Sequence, residues 1–199
     1  MRLFLGSDGL GALPSFLGRD TRGLTLAFVP TGANPPADTS FVDKDRRALE
    51  AMGFSIEELE IESATPDEMA AALERSDVLF VEGGTSFHLL ERVLATGFAP
   101  LVERAVRDGK PYVGMSGGAL LAGPDLSPII PVSHERREEP TRALGLVEYV
   151  VYPHYDEERR GAAYPRVVAE DGSRFRLVPL TDRQALVVDG ASACVVSSE

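Results

Sequence analysis

The chain has 199 residues, 44% of them apolar, and a formal net charge of −11 at pH 7. This length suits one globular unit, and we expect residues 1–199 to form a single domain. The acidic charge argues against nucleic acid and anionic membranes as partners, because both reward a basic surface. The one cysteine, Cys194, excludes an internal disulfide and a cysteine-rich zinc site.

No apolar run approaches the ~20 residues that a membrane-spanning helix needs. The first segment has an apolar run of about four residues before Asp8 interrupts, unlike a signal peptide. We therefore expect a cytoplasmic protein.

The first part of the chain alternates strand-like and helix-like segments. Short apolar runs are typical of buried strands, and alternating apolar and polar residues are typical of a strand near a sheet edge. Thr65 and Glu68 form a capping-box pattern, which predicts a helix beginning at Pro66. The elements before it are predicted as strands at 2–6 and 24–30, a helix at 43–53 and an edge strand at 54–61.

The alternation continues after this helix. A strand at 78–84, two helical pieces separated at 97–100, a strand at 111–115 and a helix from Gly117 follow in order. Beyond the charged loop 133–142, which could gate a pocket, come a strand at 146–154, a short helix at 162–172 and strands at 175–180, 184–190 and 191–197. Apolar strands in alternation with helices predict an α/β fold, with a mostly parallel central sheet covered by helices on both faces.

Ser116 stands at an abrupt joint between a strand and a helix, in the sequence Gly-Met-Ser-Gly-Gly. A sharp turn of this kind lifts a hydroxyl clear of the main chain, and glycines at 114 and 118 keep neighbouring side chains away. The N–H of Gly117, at the start of a helix, can stabilise an oxyanion. The pattern fits G-x-S-x-G, although a serine capping a helix after a glycine turn would have the same sequence.

Two glycines end the strand in "FVEGGTSF" (80–87). At the carboxyl edge of a parallel sheet they allow a backbone to approach a ligand, and Gly84 could donate a second hydrogen bond to an oxyanion. An ordinary strand-to-helix turn is the alternative.

His154 lies at the end of the apolar segment predicted as a strand at 146–154, 38 residues after Ser116. The other two histidines lie in a charged loop (His134) and in a helical stretch before the serine (His88). A serine is a poor nucleophile without a base to take its proton, so His154 is the best candidate base. Asp182 and Asp125 are both candidates for the carboxylate that orients it, and the residues alone do not separate them. The order serine, histidine, acid differs from that of α/β hydrolases.

With these pieces in place the sequence resembles the peptidase E (aspartyl dipeptidase) family, which is related to cyanophycinases. The resemblance rests on "VEGGTSFHLL", "GMSGGALLAGP" and "YPHYD" and covers the chain from about "FVPTGANP" to "LTDRQALVV". It implies a fold like that of class I glutamine amidotransferases. It also implies Ser116 as nucleophile, His154 as base, Gly84 and Gly117 as oxyanion donors and Asp182 as the acid, with Asp125 as the alternative.

Two features distinguish the chain from the aspartyl dipeptidases. The segment after the histidine is short, and Arg159 and Arg160 do not match the spacing of the arginine that binds an aspartate side chain in the family. The chain also stops soon after "ACVVSSE". We therefore expect a serine peptidase of short peptides with weak or no cleavage of Asp-X dipeptides.

The same residues would fit a non-catalytic binding relative or an esterase-like hydrolase. In either reading the partner is a small molecule or peptide, and neither a metal nor an organic cofactor is expected. A homodimer would cover the apolar strands near residues 175–197.

Overall fold

The computed structural model describes residues 1–35, 38–133 and 140–199. The described residues form a main sheet of seven strands, namely β1 (Arg2–Gly6), β2 (Thr25–Val29), β3 (Ser55–Glu58), β4 (Val78–Val81), β5 (Tyr112–Met115), β8 (Gln184–Asp189) and β9 (Ser192–Ser197). Across the sheet they lie in the order β3-β2-β4-β5-β1-β8-β9. The first five run parallel, whereas β8 pairs antiparallel with β1 and β9 pairs antiparallel with β8.

Seven α-helices connect the strands within the described residues. They are α1 (Leu13–Leu17), α2 (Ser40–Ala51), α3 (Pro66–Arg75), α4 (Ser86–Ala95), α5 (Phe98–Arg107), α6 (Gly117–Leu121) and α7 (Glu158–Asp171). The described part of the chain also forms short 3-10 helices at Thr31–Ala33 and Ser127–Ile129. None of the described helices has the length and apolar character needed to cross a bilayer.

The inner parallel strands β1, β2, β4 and β5 are mostly apolar because both faces of the sheet are covered, whereas the parallel edge strand β3 is polar and partly exposed. Side chains alternate between the faces, so Leu3 and Leu5 pack in one core with α3 to α6, whereas Phe4 packs in the other with α1 and α2. Stacked rings of Phe28 and Phe80, with centroids 5.2 Å apart, lie in this second core. The predicted sheet with helices on both faces is therefore confirmed.

Several boundaries differ from the sequence prediction. The helix predicted at 162–172 begins four residues earlier, at Glu158, and Pro165 lies inside it. The predicted break at 97–100 is shorter, because α5 begins at Phe98 and Pro100 lies in its first turn, where a missing N–H costs nothing. Helix α1 was not predicted at all, since a five-residue element gives no periodic signal.

The predicted strand at 146–154 also forms differently. It is represented by β6 (Tyr149–Tyr152), which pairs in parallel with β7 (Arg176–Pro179) in a separate two-stranded sheet. At the other end of the main sheet, β9 is an exposed edge strand, and Val195 is 44% exposed. The homodimer that would cover it stays a prediction.

Candidate active site

Ser116 lies between β5 and α6, at the carboxyl edge of the sheet. Its backbone has φ 47° and ψ −107°, a conformation that non-glycine residues rarely adopt. The Ser116 N–H donates to the Gly6 carbonyl at 2.9 Å, and the N–H of Leu120 donates to the Ser116 carbonyl at 3.0 Å, which fixes the turn on both sides. A methyl group on Gly118 would lie 2.1 Å from the Val81 carbonyl oxygen, so only glycine allows α6 to lie this close to β4.

His154 follows β6 by two residues and also has a positive φ, 56°. This backbone turn directs the imidazole toward β5, and Nε2 lies 2.8 Å from Ser116 Oγ. The ring is partly covered, with 19% of its side chain exposed.

Asp182 follows β7 by three residues and precedes β8. Because β8 runs antiparallel to β1, its first residue lies at the edge where the parallel strands end, and Asp182 is brought to that edge. Its Oδ1 lies 2.6 Å from His154 Nδ1. With the proton on Nδ1 directed at this carboxylate, the unprotonated Nε2 faces the serine hydroxyl.

The alternative acid, Asp125, lies elsewhere. Its Oδ1 accepts a hydrogen bond from the Ser127 N–H at 2.7 Å, and its backbone forms an isolated bridge with Arg142. The geometry thus brings Asp182, and not Asp125, to the imidazole. Among the other histidines, His88 Nε2 lies 3.3 Å from Glu62 Oε1, away from the serine, and His134 lies outside the described residues. Most of loop 133–142 lies outside them as well.

The two glycines expected to donate to an oxyanion are close together beside Ser116. A methyl group on Gly117 would lie 3.6 Å from the Gly84 nitrogen. Gly84 has φ 116°, and a methyl group there would lie 2.2 Å from the Gly32 carbonyl oxygen, so glycine is required at this position. The next N–H, of Thr85, donates to the same carbonyl at 2.7 Å and ties the glycine turn to the loop after β2.

Ser7 also belongs to this constellation, although the sequence reasoning missed it. Its hydroxyl donates to Asp182 Oδ1 at 3.1 Å and accepts a hydrogen bond from the backbone N–H of His154 at 2.8 Å. The only signal in the sequence is its position directly after the strand at 2–6, where a parallel strand ends at the ligand-binding edge. Ser7 links the segments that carry the base and the acid.

A pocket of about 330 Å³ opens beside the serine. It is lined by Ser116, His154, Gly84 and several charged residues, namely Asp8, Asp45, Glu82, Glu157 and Arg160. Burial raises the pKa of Glu82 to about 8, and the neighbouring Asp45 adds to the rise. Burial likewise raises the pKa of Asp45 to about 6, opposed by the ammonium of Lys44. Sequence reasoning did not identify these acids, which lie in ordinary-looking strand-end and helical positions.

Of the two arginines that follow His154, Arg160 lies in the pocket and Arg159 lies outside its lining. Arg160 lines the pocket, and its Nε lies 3.4 Å from Glu157 Oε2. Arg159 instead donates to the carbonyl of Val132. In the described part of the chain, no group of three or more His, Cys, Asp or Glu side chains could hold a metal ion.

Comparison with solved structures finds proteins of the same fold. A crystal structure of a Listeria monocytogenes protein, described provisionally as a peptidase E, superposes with a TM-score of 0.89 over 98% of each chain at 26% identity. A peptidase from an acI-B1 actinobacterium has the same fold, with a TM-score of 0.74 over 98% of this chain and 87% of its own, at 20% identity.

Sequence comparison extends the likeness to curated proteins. An uncharacterized peptidase of Listeria monocytogenes is 28% identical over 193 residues, or 94% of each chain. A peptidase E of Streptomyces coelicolor is 34% identical over 169 residues, which are 82% of this chain and 64% of that protein. Residues 10–196 match the model of peptidase family S51. The resemblance to peptidase E indicated by the sequence motifs is thereby confirmed, and the chain is a peptidase that belongs to family S51.

Proposed function

We propose that this peptidase hydrolyses short peptides through a Ser116–His154–Asp182 triad. The observation that carries the proposal is the continuous series of contacts from Ser116 Oγ to His154 Nε2 at 2.8 Å and from His154 Nδ1 to Asp182 Oδ1 at 2.6 Å. Membership of family S51 supports peptide bonds as the bonds cleaved.

In the first half of the reaction, Ser116 Oγ attacks the scissile carbonyl carbon and its proton passes to His154 Nε2. The imidazolium so formed is stabilised by the Asp182 carboxylate. Collapse of the tetrahedral intermediate breaks the C–N bond, and His154 gives its proton to the leaving amine. An acyl-enzyme ester on Ser116 remains.

In the second half, His154 takes a proton from water, and the hydroxide attacks the ester carbonyl. The carboxylic acid leaves and the proton returns to Ser116. In both halves, the N–H groups of Gly84 and Gly117 stabilise the negative charge on the carbonyl oxygen. The closeness of the two glycines to each other beside Ser116 supports this role. Such a donor typically contributes about 10²–10³ in kcat.

Strict specificity for N-terminal aspartate is not expected. Arg160 lines the pocket, but its guanidinium is paired with Glu157, and three further carboxyl groups line the same pocket. An aspartate side chain would meet more negative than positive charge there. A dipeptide panel should therefore give higher kcat/KM for neutral residues than for aspartate at the first position, and efficient cleavage of Asp-Leu would refute this.

A fluorophosphonate probe tests the triad directly. We expect labelling of Ser116 in the native protein and its loss in the His154→Ala variant. A folded native protein that takes up no label would instead indicate a non-catalytic binding relative. Turnover of a p-nitrophenyl ester without turnover of any dipeptide would indicate an esterase-like hydrolase.

A further inference from the structure

Glu82 lies in the pocket wall, at a position where burial of its carboxyl group costs free energy. It follows β4 directly, and the residue is only 1% exposed. Its Oε1 accepts a hydrogen bond from the Gly83 N–H at 2.7 Å, but Oε2 has no hydrogen-bond partner among the described residues. An unpartnered buried oxygen costs free energy whether the carboxyl group is ionised or neutral. Because Glu82 lines the pocket beside Ser116, its unpartnered oxygen points to a ligand that completes its hydrogen bonding.

Two further carboxyl groups surround the same part of the pocket. Asp45 lies on α2 and is 3% exposed, and Asp8 follows β1 by two residues. One cation, Lys44, faces them, with its Nζ 2.5 Å from Asp8 Oδ1 and 3.5 Å from Asp45 Oδ1. Among the described residues, Lys44 is thus paired with two of the three carboxyl groups and Glu82 has no ion-pair partner, which leaves a surplus of carboxyl groups.

The other charged side chains of the pocket do not neutralise this surplus of carboxyl groups. Arg160 lies in the same pocket, but it is paired with Glu157. Burial beside Asp45 raises the pKa of Glu82 to about 8, so this carboxyl group keeps its proton at neutral pH when the pocket is empty. A cation arriving next to Glu82 would take the place of that proton.

We propose that Glu82, together with Asp45 and Asp8, binds a positively charged nitrogen of the substrate residue on the acyl side of the cleaved bond. The proposal rests on the proposed function, which places that residue in the pocket beside Ser116. Two groups of a peptide supply such a nitrogen, namely the α-ammonium of a free N-terminus and the side chain of lysine or arginine. Both would donate to Glu82 Oε2, and both would be attracted by the surplus negative charge.

Binding can be measured without turnover in the Ser116→Ala protein, by isothermal titration calorimetry at pH 7. Three amides separate the sources of charge. L-Leucinamide carries only an α-ammonium, Nα-acetyl-L-lysinamide carries only a side-chain ammonium, and Nα-acetyl-L-leucinamide is uncharged. We expect one of the charged amides to bind at least tenfold more tightly than the uncharged one, and the better of the two identifies the source.

The variant Glu82→Gln, on the same background, should reduce that preference to less than threefold. Glutamine has the shape of a neutral glutamate and keeps an oxygen for the Gly83 N–H, so the fold should persist. Asp45→Asn provides a second variant in case Glu82→Gln fails to fold. Glu74→Gln, on the exposed part of α3, is the matched control and should leave the preference unchanged.

Equal binding of charged and uncharged amides, no binding of any amide, or a preference that survives both Glu82→Gln and Asp45→Asn would overturn the proposal. Failure of the proposed function gives a different result. In that case native Ser116 would take up no fluorophosphonate, while the Ser116→Ala protein would still prefer a charged amide.

Discussion

Nδ1 of His154 lies 2.6 Å from Oδ1 of Asp182, although 28 residues separate them in the chain. The reason is the register of the small parallel sheet, in which Tyr152 of β6 is opposite Pro179 of β7. His154 follows Tyr152, and Asp182 follows Pro179, at the same end of this sheet. The N–H of Tyr155 also donates to the Leu180 carbonyl at 2.9 Å, which holds the two segments side by side beyond the strands.

This arrangement predicts that Asp182→Asn is far more harmful than Asp125→Asn. Asparagine at 182 keeps the shape but offers no charge to stabilise the imidazolium, so kcat should fall by about 10²–10⁴. Asp125→Asn loses only a charged acceptor for the Ser127 N–H and should change kcat by less than about threefold. Steady-state kinetics on a neutral dipeptide measures both, and comparable losses in the two variants would contradict the assignment of the acid.

The nucleophile and the base should behave as one unit. We expect Ser116→Ala and His154→Asn each to lower kcat by about 10⁴–10⁶, with the double variant little worse than either single variant. Asparagine is chosen for position 154 because it tolerates the positive φ of 56° found there. Thermal unfolding of each variant provides the control, and additive losses in the double variant would show that the two side chains act separately.

Much of the fold follows from local patterns in the sequence. The buried parallel strands are mostly apolar, so β1, β2, β4 and β5 were all predicted close to their observed bounds. The capping box at Thr65 is present, with Thr65 Oγ1 accepting from the Glu68 N–H and the Glu68 carboxylate accepting from the Thr65 N–H. Such features involve residues near in sequence, and they are therefore readable from it.

The parts of the site that were missed depend on contacts distant in sequence. Ser7 acquires its partners only because β1 lies between β5 and β8 in the sheet. The pairing of β6 with β7, which brings His154 to Asp182, is likewise a tertiary event. Glu82 is unusual because of its burial, and no local pattern indicates that a glutamate after a strand will lie buried in the wall of a pocket.

Ser7→Ala should weaken catalysis without removing it. The variant loses the hydrogen bond to Asp182 at 3.1 Å and leaves the His154 N–H without its acceptor at 2.8 Å. Such a loss should raise the activation free energy by about 1–2 kcal/mol, so kcat should fall about tenfold with KM nearly unchanged. Ser7→Thr keeps the hydroxyl and should recover most of the rate. A KM effect without a kcat effect would indicate that Ser7 contacts the substrate and does not position the base.

Gly84→Ala should damage both stability and turnover. The new methyl group would meet the Gly32 carbonyl oxygen at 2.2 Å and would have to displace the turn that carries the oxyanion donor. The matched control is Gly97→Ala, since Gly97 also has a positive φ, 75°, but nothing within 4 Å of the added methyl group. We expect Gly97→Ala to cost about 1 kcal/mol in stability with normal kcat, and Gly84→Ala to lower kcat by about 10² or more. Equal kcat in the two variants would exclude a role for this turn in catalysis.

Glu82 should make the stability of the protein fall as the pH rises. Its folded-state pKa of about 8 lies above that of the unfolded chain, so between pH ~4.5 and 8 the unfolded state binds fewer protons and the free energy of unfolding decreases. Glu82→Gln removes this titration. The free energy of unfolding of the variant, minus that of the native protein, should therefore be larger at pH 9 than at pH 5. The expected change in this difference is at least about 1 kcal/mol, or about 2–4 °C in Tm. Thermal unfolding across this pH range tests the expectation, with Glu74→Gln as control, and parallel curves for native and Glu82→Gln proteins would show that the Glu82 carboxyl titrates normally.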